Sequence, residues 1–159
     1  MPEIVSNTVS VYAFRVEGDR PWYLLLRRAQ GRKLAGAWQA VHGHIEEGET
    51  AVDAALRELH EETELVPQTL WTVDYVERVY DPRKDQIRLV PCFAALVAGD
   101  AHTGAEHDAK RWLTEREAMN LFTFENQRAA LAVLHRDIGQ VIATGGEPNE
   151  FLRIPFVRR

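Results

Sequence analysis

Residues 43–65 read GHIEEGETAVDAALRELHEETEL, and the reading of the chain works outward from them. Thr50 followed by Asp53 has the spacing of a capping box, with Asp in place of the usual Glu, and so marks a helix start. On a wheel of about 100° per residue, Val52, Leu56, Leu59 and Thr63 fall within about 60° of one another, a core-facing stripe. The spacing predicts a helix over Thr50 to Thr63, and Pro67 marks where it has already ended. Glu58, Glu61 and Glu62 stand at i, i+3 and i+4 and form a second cluster, away from that stripe. Like charges at this spacing cost a helix roughly 0.2–0.5 kcal/mol per pair. A solvated acidic face is one reason to crowd them. A divalent cation is the other, since Mg2+ takes oxygen ligands from one or two carboxylates, waters and substrate phosphates. Arg57 lies four residues before Glu61 and eight after Glu49, so it can tie the helix to the loop before it.

Charge along the chain has the same two-sided character. From Glu46 to Glu64 eight acids face one base, Arg57. Just upstream, Arg27, Arg28, Arg32 and Lys33 are basic, and Leu24 to Ile45 contains no acid. Such neighbours are ordinary solvated surface, or a site that holds polyphosphate on one side and cations on the other.

On both sides of the helix the pattern is mixed. Thr8 to Val16 and Trp22 to Arg28 are apolar and β-prone around a turn at Glu17–Pro21, which predicts two strands. Gln30 to Gly36 reads as a loop, and Trp38 to Val41 and His44 to Glu46 as short strands around Gly43. Leu70 to Tyr80 and Ile87 to Ala98 form a predicted strand pair joined at Asp81–Asp85. Gly99 to Asp108 is a loop, Lys110 to Leu113 a strand, and Thr114 to Asn120 a short helix. The last helix runs from Glu125 to Ile138, with Gly139 as its stop. Gly145, Gly146 and Pro148 loosen a tail over 142–159. The expected architecture is a single α/β domain over 1–159, a mixed sheet sandwiched between helices.

Composition narrows the class. The chain has 159 residues, 45% hydrophobic and 27% charged, enough for one core without a disulfide or structural metal. The longest apolar run, Cys92 to Ala98, is far short of the roughly 20 residues of a membrane span. The start of the chain has no signal-peptide pattern, and Cys92 is the single cysteine, expected to be a buried structural thiol. These features lead us to expect a cytoplasmic protein with no membrane partner. A net charge of −5 disfavours nucleic-acid binding.

Gly43 to Glu49 followed by Arg57 to Leu65 resembles the signature box of the Nudix hydrolases, G-x5-E-x7-R-E-U-x-E-E-x-G-U, where U is bulky and aliphatic. Eight of nine specified positions match, and Glu64 stands where the family has Gly. A left-handed residue with a Cβ costs roughly 1–2 kcal/mol, so Glu64 leads us to expect a helix continuing to Leu65. The resemblance implies Glu58, Glu61 and Glu62 as ligands of Mg2+ or Mn2+, with the Gly43 carbonyl as a further ligand. It implies Glu49 and Arg57 as a salt-bridged brace. The implied reaction is hydrolysis of a nucleoside diphosphate linked to another group.

Outside the box, Ala37–Val41, Glu106-His107, Trp112-Leu113 and Phe124–Leu131 look like the dihydroneopterin triphosphate and dATP pyrophosphohydrolase branch. That resemblance makes Glu106 a catalytic or metal-binding acid, against the plain alternative of a solvated loop acid. Trp38 is read as a stacking platform for a base or pterin ring, or as core. Arg28 and Lys33 are read as phosphate-binding residues, or as solvated bases. His42 and His44 are pocket or surface residues and too few for a zinc site. Trp22, Trp71 and Trp112 are read as core, and Arg128 as a surface helix position.

The expected function is hydrolysis of a nucleoside or pterin triphosphate to monophosphate and pyrophosphate. Alternatives are a dinucleoside polyphosphate or ADP-ribose hydrolase, and a non-catalytic Nudix-like ligand-binding module. Self-association into a homodimer is left open.

Overall fold

Residues 1–157 are described here in a computed structural model. Strand β2 (Thr8–Glu17) is the hub. Its length and alternation let it bond three partners. Its first half pairs antiparallel with β5 (Val41–His44), and its second half with β3 (Arg20–Arg28). Along its other edge it runs parallel to β7 (Gln86–Leu96). β7 in turn pairs with β6 (Thr69–Asp81), which carries a bulge between Thr72 and Val76. A short β1 (Glu3–Val5), not foreseen in the sequence, lies parallel to β7. β4 (Trp38–Gln39) and β8 (His107–Leu113) both pair with β3, giving one mixed sheet.

The sheet is two-faced because its strands alternate in which core they feed. Val9, Val11, Ala13, Leu24 and Leu26 join Ala54, Ala55 and Leu59 of helix α1 (Ala51–Thr63) in one buried cluster. Tyr12, Phe14, Tyr23 and Leu25 face the other way. They meet Ala118 of α2 (Glu115–Leu121) and Ala130, Leu131 and Leu134 of α3 (Glu125–Leu134). The expected sandwich of a mixed sheet between helices is thus the observed fold.

Several boundaries differ from expectation for local reasons. Gly43 does not separate two strands; it lies inside β5, paired with Val9, and Ile45 and Glu46 fall outside it. Helix α1 does not run on to Leu65. It ends at Thr63, and Glu64 takes the left-handed conformation at φ 61°, with its N–H donating to the His60 carbonyl at 2.7 Å. Gly139 does not stop the last helix. A π-type turn over His135–Gly139 leads into α4 (Gln140–Ala143). The Tyr23 hydroxyl occupies the space where a Gly139 Cβ would sit, so this glycine serves close approach. The tail is also not loose throughout. A 3-10 turn at Glu150–Leu152 leads to β9 (Arg153–Ile154), which pairs with Leu70 and Trp71 on the sheet edge. No helix among the described residues is long and apolar enough to cross a membrane.

Candidate active site

Helix α1 begins as its sequence predicts. Thr50 Oγ1 accepts the Asp53 N–H at 3.1 Å, and Asp53 Oδ2 accepts the Thr50 N–H at 3.0 Å. With that start set, Glu58 and Glu62 lie one turn apart on the side of the helix facing β5 and β8. The carboxyl of Glu58 packs onto the α-carbon of Gly43. Glu62 is buried at 6% exposure, with His107 Nε2 at 3.9 Å, beyond hydrogen-bond range. Glu61 stays exposed.

Arg57 ties these groups together. Its Nε donates to Glu49 Oε1 at 2.6 Å and its Nη2 to Glu49 Oε2 at 2.9 Å, a two-point contact. Its Nη1 reaches Glu58 Oε1 at 2.8 Å and Glu61 Oε2 at 3.1 Å, and its Nη2 also donates to the His44 carbonyl at 2.8 Å. The hydrogen bond from Arg57, more than any other influence, holds the Glu49 carboxyl at about 2. Arg57 itself is pushed up, chiefly by the same bond, and stays charged.

The loop after β7 brings the fourth acid. The His102 N–H donates to the Thr63 carbonyl at 2.9 Å, which lays the loop on the end of α1. The Ala29 N–H donates to the Glu106 carbonyl at 2.9 Å, and Arg28 Nη1 meets Glu106 Oε2 at 3.4 Å. Burial pushes Glu62 up to about 9, with the neighbouring charges of Glu58 and Glu106 adding to it. Burial likewise lowers His107 to about 4, so at neutral pH the Glu62–His107 contact is not an ion pair.

Glu58, Glu61, Glu62 and Glu106 share one cleft of about 1120 Å³ with Arg28, Lys33 and Gly43. That volume suits a nucleotide-sized ligand. As they stand, no three acidic, histidine or cysteine side chains among the described residues close into a metal-binding cluster, because Arg57 draws Glu58 and Glu61 to itself. The donor set nonetheless fits a hard divalent cation. All the acids offer oxygen, and the buried Glu62 Oε2 has no hydrogen-bond partner.

These positions complete the pattern of the box, and the NUDIX domain profile matches residues 6–135. The chain belongs to the Nudix family. A rat bis(5'-nucleosyl)-tetraphosphatase [asymmetrical] is 31% identical over 126 residues, covering 77% of this chain and 84% of that protein. An octanoyltransferase from Myxococcus xanthus is 35% identical over 125 residues, but the chain spans only 34% of its length. The crystal structure of a C. elegans Ap4A hydrolase binary complex superposes at a TM-score of 0.70 with 21% identity, covering 83% of this chain and 96% of that one. That last likeness is one of fold. Family and relatives together make the Nudix chain a pyrophosphohydrolase.

The remaining expected residues divide. Lys33, His42 and His44 line the cleft with Arg28. Trp38 does not. It packs against the α2–α3 side of the core, with the guanidinium groups of Arg111 and Arg27 at 5.2 and 5.7 Å from its ring. Its strand neighbour Gln39 faces the cleft instead, because adjacent residues of a strand point to opposite faces. Trp71 is core, Trp112 is half-buried under Arg15, and Arg128, which does not line the cleft, bonds Glu125 and the Phe122 carbonyl. Cys92 is buried, as expected.

Sequence reasoning missed the inner wall of the cleft. Thr8, Gln39, Glu77 and Gln127 are all buried polar residues that line it. The signal was present at Glu77. It shares the alternation of Trp71, Val73 and Tyr75, and an acid on an apolar strand face stands out.

Proposed function

We propose that this Nudix hydrolase cleaves a dinucleoside polyphosphate asymmetrically, with Glu58, Glu61, Glu62, Glu106 and the Gly43 carbonyl holding Mg2+ or Mn2+. The observation that supports the cation most directly is the buried, unpartnered Glu62 Oε2 in a wall of four carboxylates. The rat relative, aligned over most of both chains, favours the dinucleoside substrate over the triphosphate expected from sequence.

A bound divalent cation supplies charge neutralisation at the phosphoryl oxygens and makes the attacking water more acidic. The chain's own groups do the rest. Arg28 and Lys33 face the phosphate path as cations. Arg57, anchored on Glu49, keeps Glu58 and Glu61 oriented along the helix. Glu106 stands at the cleft, half-exposed, where a carboxylate can take the proton from the attacking water.

Glu106 also supports a second reading. Its place in the cleft suits the acid outside the box implied by the resemblance to the branch that converts a nucleoside or pterin triphosphate to monophosphate and pyrophosphate. Product analysis separates the two. With Mg2+ or Mn2+, diadenosine tetraphosphate should yield nucleoside mono- and triphosphate faster than dATP or dihydroneopterin triphosphate yields pyrophosphate. Faster pyrophosphate release would favour the second reading, and no hydrolysis of any of the three would overturn both.

A further inference from the structure

The cleft has two chemically distinct ends. One holds the carboxylates and bases described above. The other, between β6 and the start of α3, is lined by Glu77, Asn126 and Gln127, with Tyr80 and Phe124 exposed at its rim. Asn126 clamps this end together. Its Nδ2 donates to the Arg78 carbonyl at 2.8 Å, and its Oδ1 accepts the Arg78 N–H at 3.2 Å and the Tyr75 hydroxyl at 3.2 Å. Gln127 follows Asn126, Glu77 precedes Arg78, and both line this end of the cleft.

Gln127 is 5% exposed, and its side-chain oxygen has no hydrogen-bond partner. Buried polar atoms are rarely left so, and those that are call for an explanation. Thr8 Oγ1, also in this cleft, is likewise unpartnered. Glu77 is 3% exposed, and its Oε1 accepts the Tyr12 hydroxyl at 2.6 Å and the Cys92 thiol at 3.4 Å. Both donors hold the carboxyl in one orientation. Burial pushes Glu77 up from its ordinary value, while the hydrogen bonds from Tyr12 and Cys92 pull it down.

We propose that Gln127 selects the heterocycle of the substrate. The Gln127 oxygen accepts the N–H of an exocyclic amino group. This rests on the nucleotide reading above. Adenine carries that group. Hypoxanthine does not: an oxygen replaces its amino group. Tyr80 and Phe124 offer flat faces at the rim against which a planar ring can stack.

Binding of ADP and IDP, measured calorimetrically with Mg2+ on the full chain, tests selection without requiring turnover. The wild type should bind ADP roughly 10- to 100-fold tighter than IDP, the range for one buried hydrogen bond made or left unpaired. Gln127→Leu should bring the two affinities together, and Gln127→Glu, which keeps an acceptor, should retain the preference. A parallel assay with diadenosine tetraphosphate reads the proposed reaction separately. If ADP is preferred in a Gln127-dependent way but the tetraphosphate is not hydrolysed, the selection stands and the reaction assignment fails. The proposal is overturned if wild type does not bind ADP, if it binds both nucleotides equally, or if Gln127→Leu weakens both by the same factor.

Discussion

The carboxyl of Glu58 lies on the α-carbon of Gly43, in the space a β-carbon would fill. Gly43 is in ordinary strand conformation, so its lack of a side chain matters for contact and not for backbone freedom. Gly43→Ala should push the Glu58 carboxyl out of the cleft, since the far end of a flexible side chain yields before a paired strand does. Turnover should fall by at least about tenfold, a change of roughly 1.4 kcal/mol in the barrier, with a melting temperature close to that of the parent. Steady-state rates and thermal melts check this, and an unchanged rate would separate Glu58 from the chemistry.

Glu64 sits at φ 61° at the end of α1, where the family pattern has Gly. Glu64→Gly should raise stability by roughly 1 kcal/mol, because the left-handed conformation no longer carries a Cβ. Urea unfolding measures this. Glu64 is not among the residues lining the cleft, so turnover should hold. A loss of rate with unchanged folding would show that Glu64 takes part in the site.

Glu106→Gln keeps shape and removes the charge and the base. The maximal rate should drop by roughly 100- to 10,000-fold, the usual contribution of a positioned general base. The Michaelis constant should change much less, because the lost interaction belongs to the transition state. Steady-state kinetics decide it, and a wild-type rate would return Glu106 to a solvated loop acid paired with Arg28.

His135 Nδ1 meets the Tyr23 hydroxyl at 2.8 Å, and burial lowers the His135 pKa. Burial keeps Tyr23 protonated as the natural donor. A histidine with a lowered folded pKa takes up its proton more readily when unfolded. Its stabilising effect is therefore complete above the unfolded value of about 6.5 and is lost as pH falls below it, at up to about 1.4 kcal/mol per pH unit. His42 and His107, both lowered to about 4, act in the same sense, whereas the raised carboxyls Glu62 and Glu77 oppose them. Comparison with His135→Gln, which keeps an acceptor but does not titrate, isolates one proton. Between pH 6.5 and 5 the variant should lose less stability than the parent in denaturant titrations. Parallel pH profiles would mean that His135 takes up its proton alike in the folded and unfolded states.

Much of this protein was legible in its residues alone because the information is local or periodic. The Thr50–Asp53 cap, the apolar stripe through Leu59 and the i, i+4 reach of Arg57 to Glu61 follow from helical spacing, and the structure contains each of them. The mixed order of apolar strands and helices likewise implied a mixed sheet between helices, which is the observed fold. The family box set Glu58, Glu61 and Glu62 apart before any coordinates.

What remained was decided by contacts between distant residues. Gly139 reads as a helix stop, yet Tyr23, more than a hundred residues away in sequence, needs the space and the helix continues. Glu64 reads as a helix extender, but the loop bond from His102 to the Thr63 carbonyl accompanies an ending at Thr63, in a conformation its own Cβ disfavours. Trp38 reads equally as a platform or as core; it packs on the core, and strand alternation turns Gln39 to the cleft in its place. The meeting of Glu106 with Arg28, and of Gln127 with Glu77 on one wall, depends on how the loop and α3 dock on the sheet. Sequence periodicity sets which face of an element is apolar. Which partner covers that face, and which polar group is stranded where coverage ends, is decided only when the elements pack together.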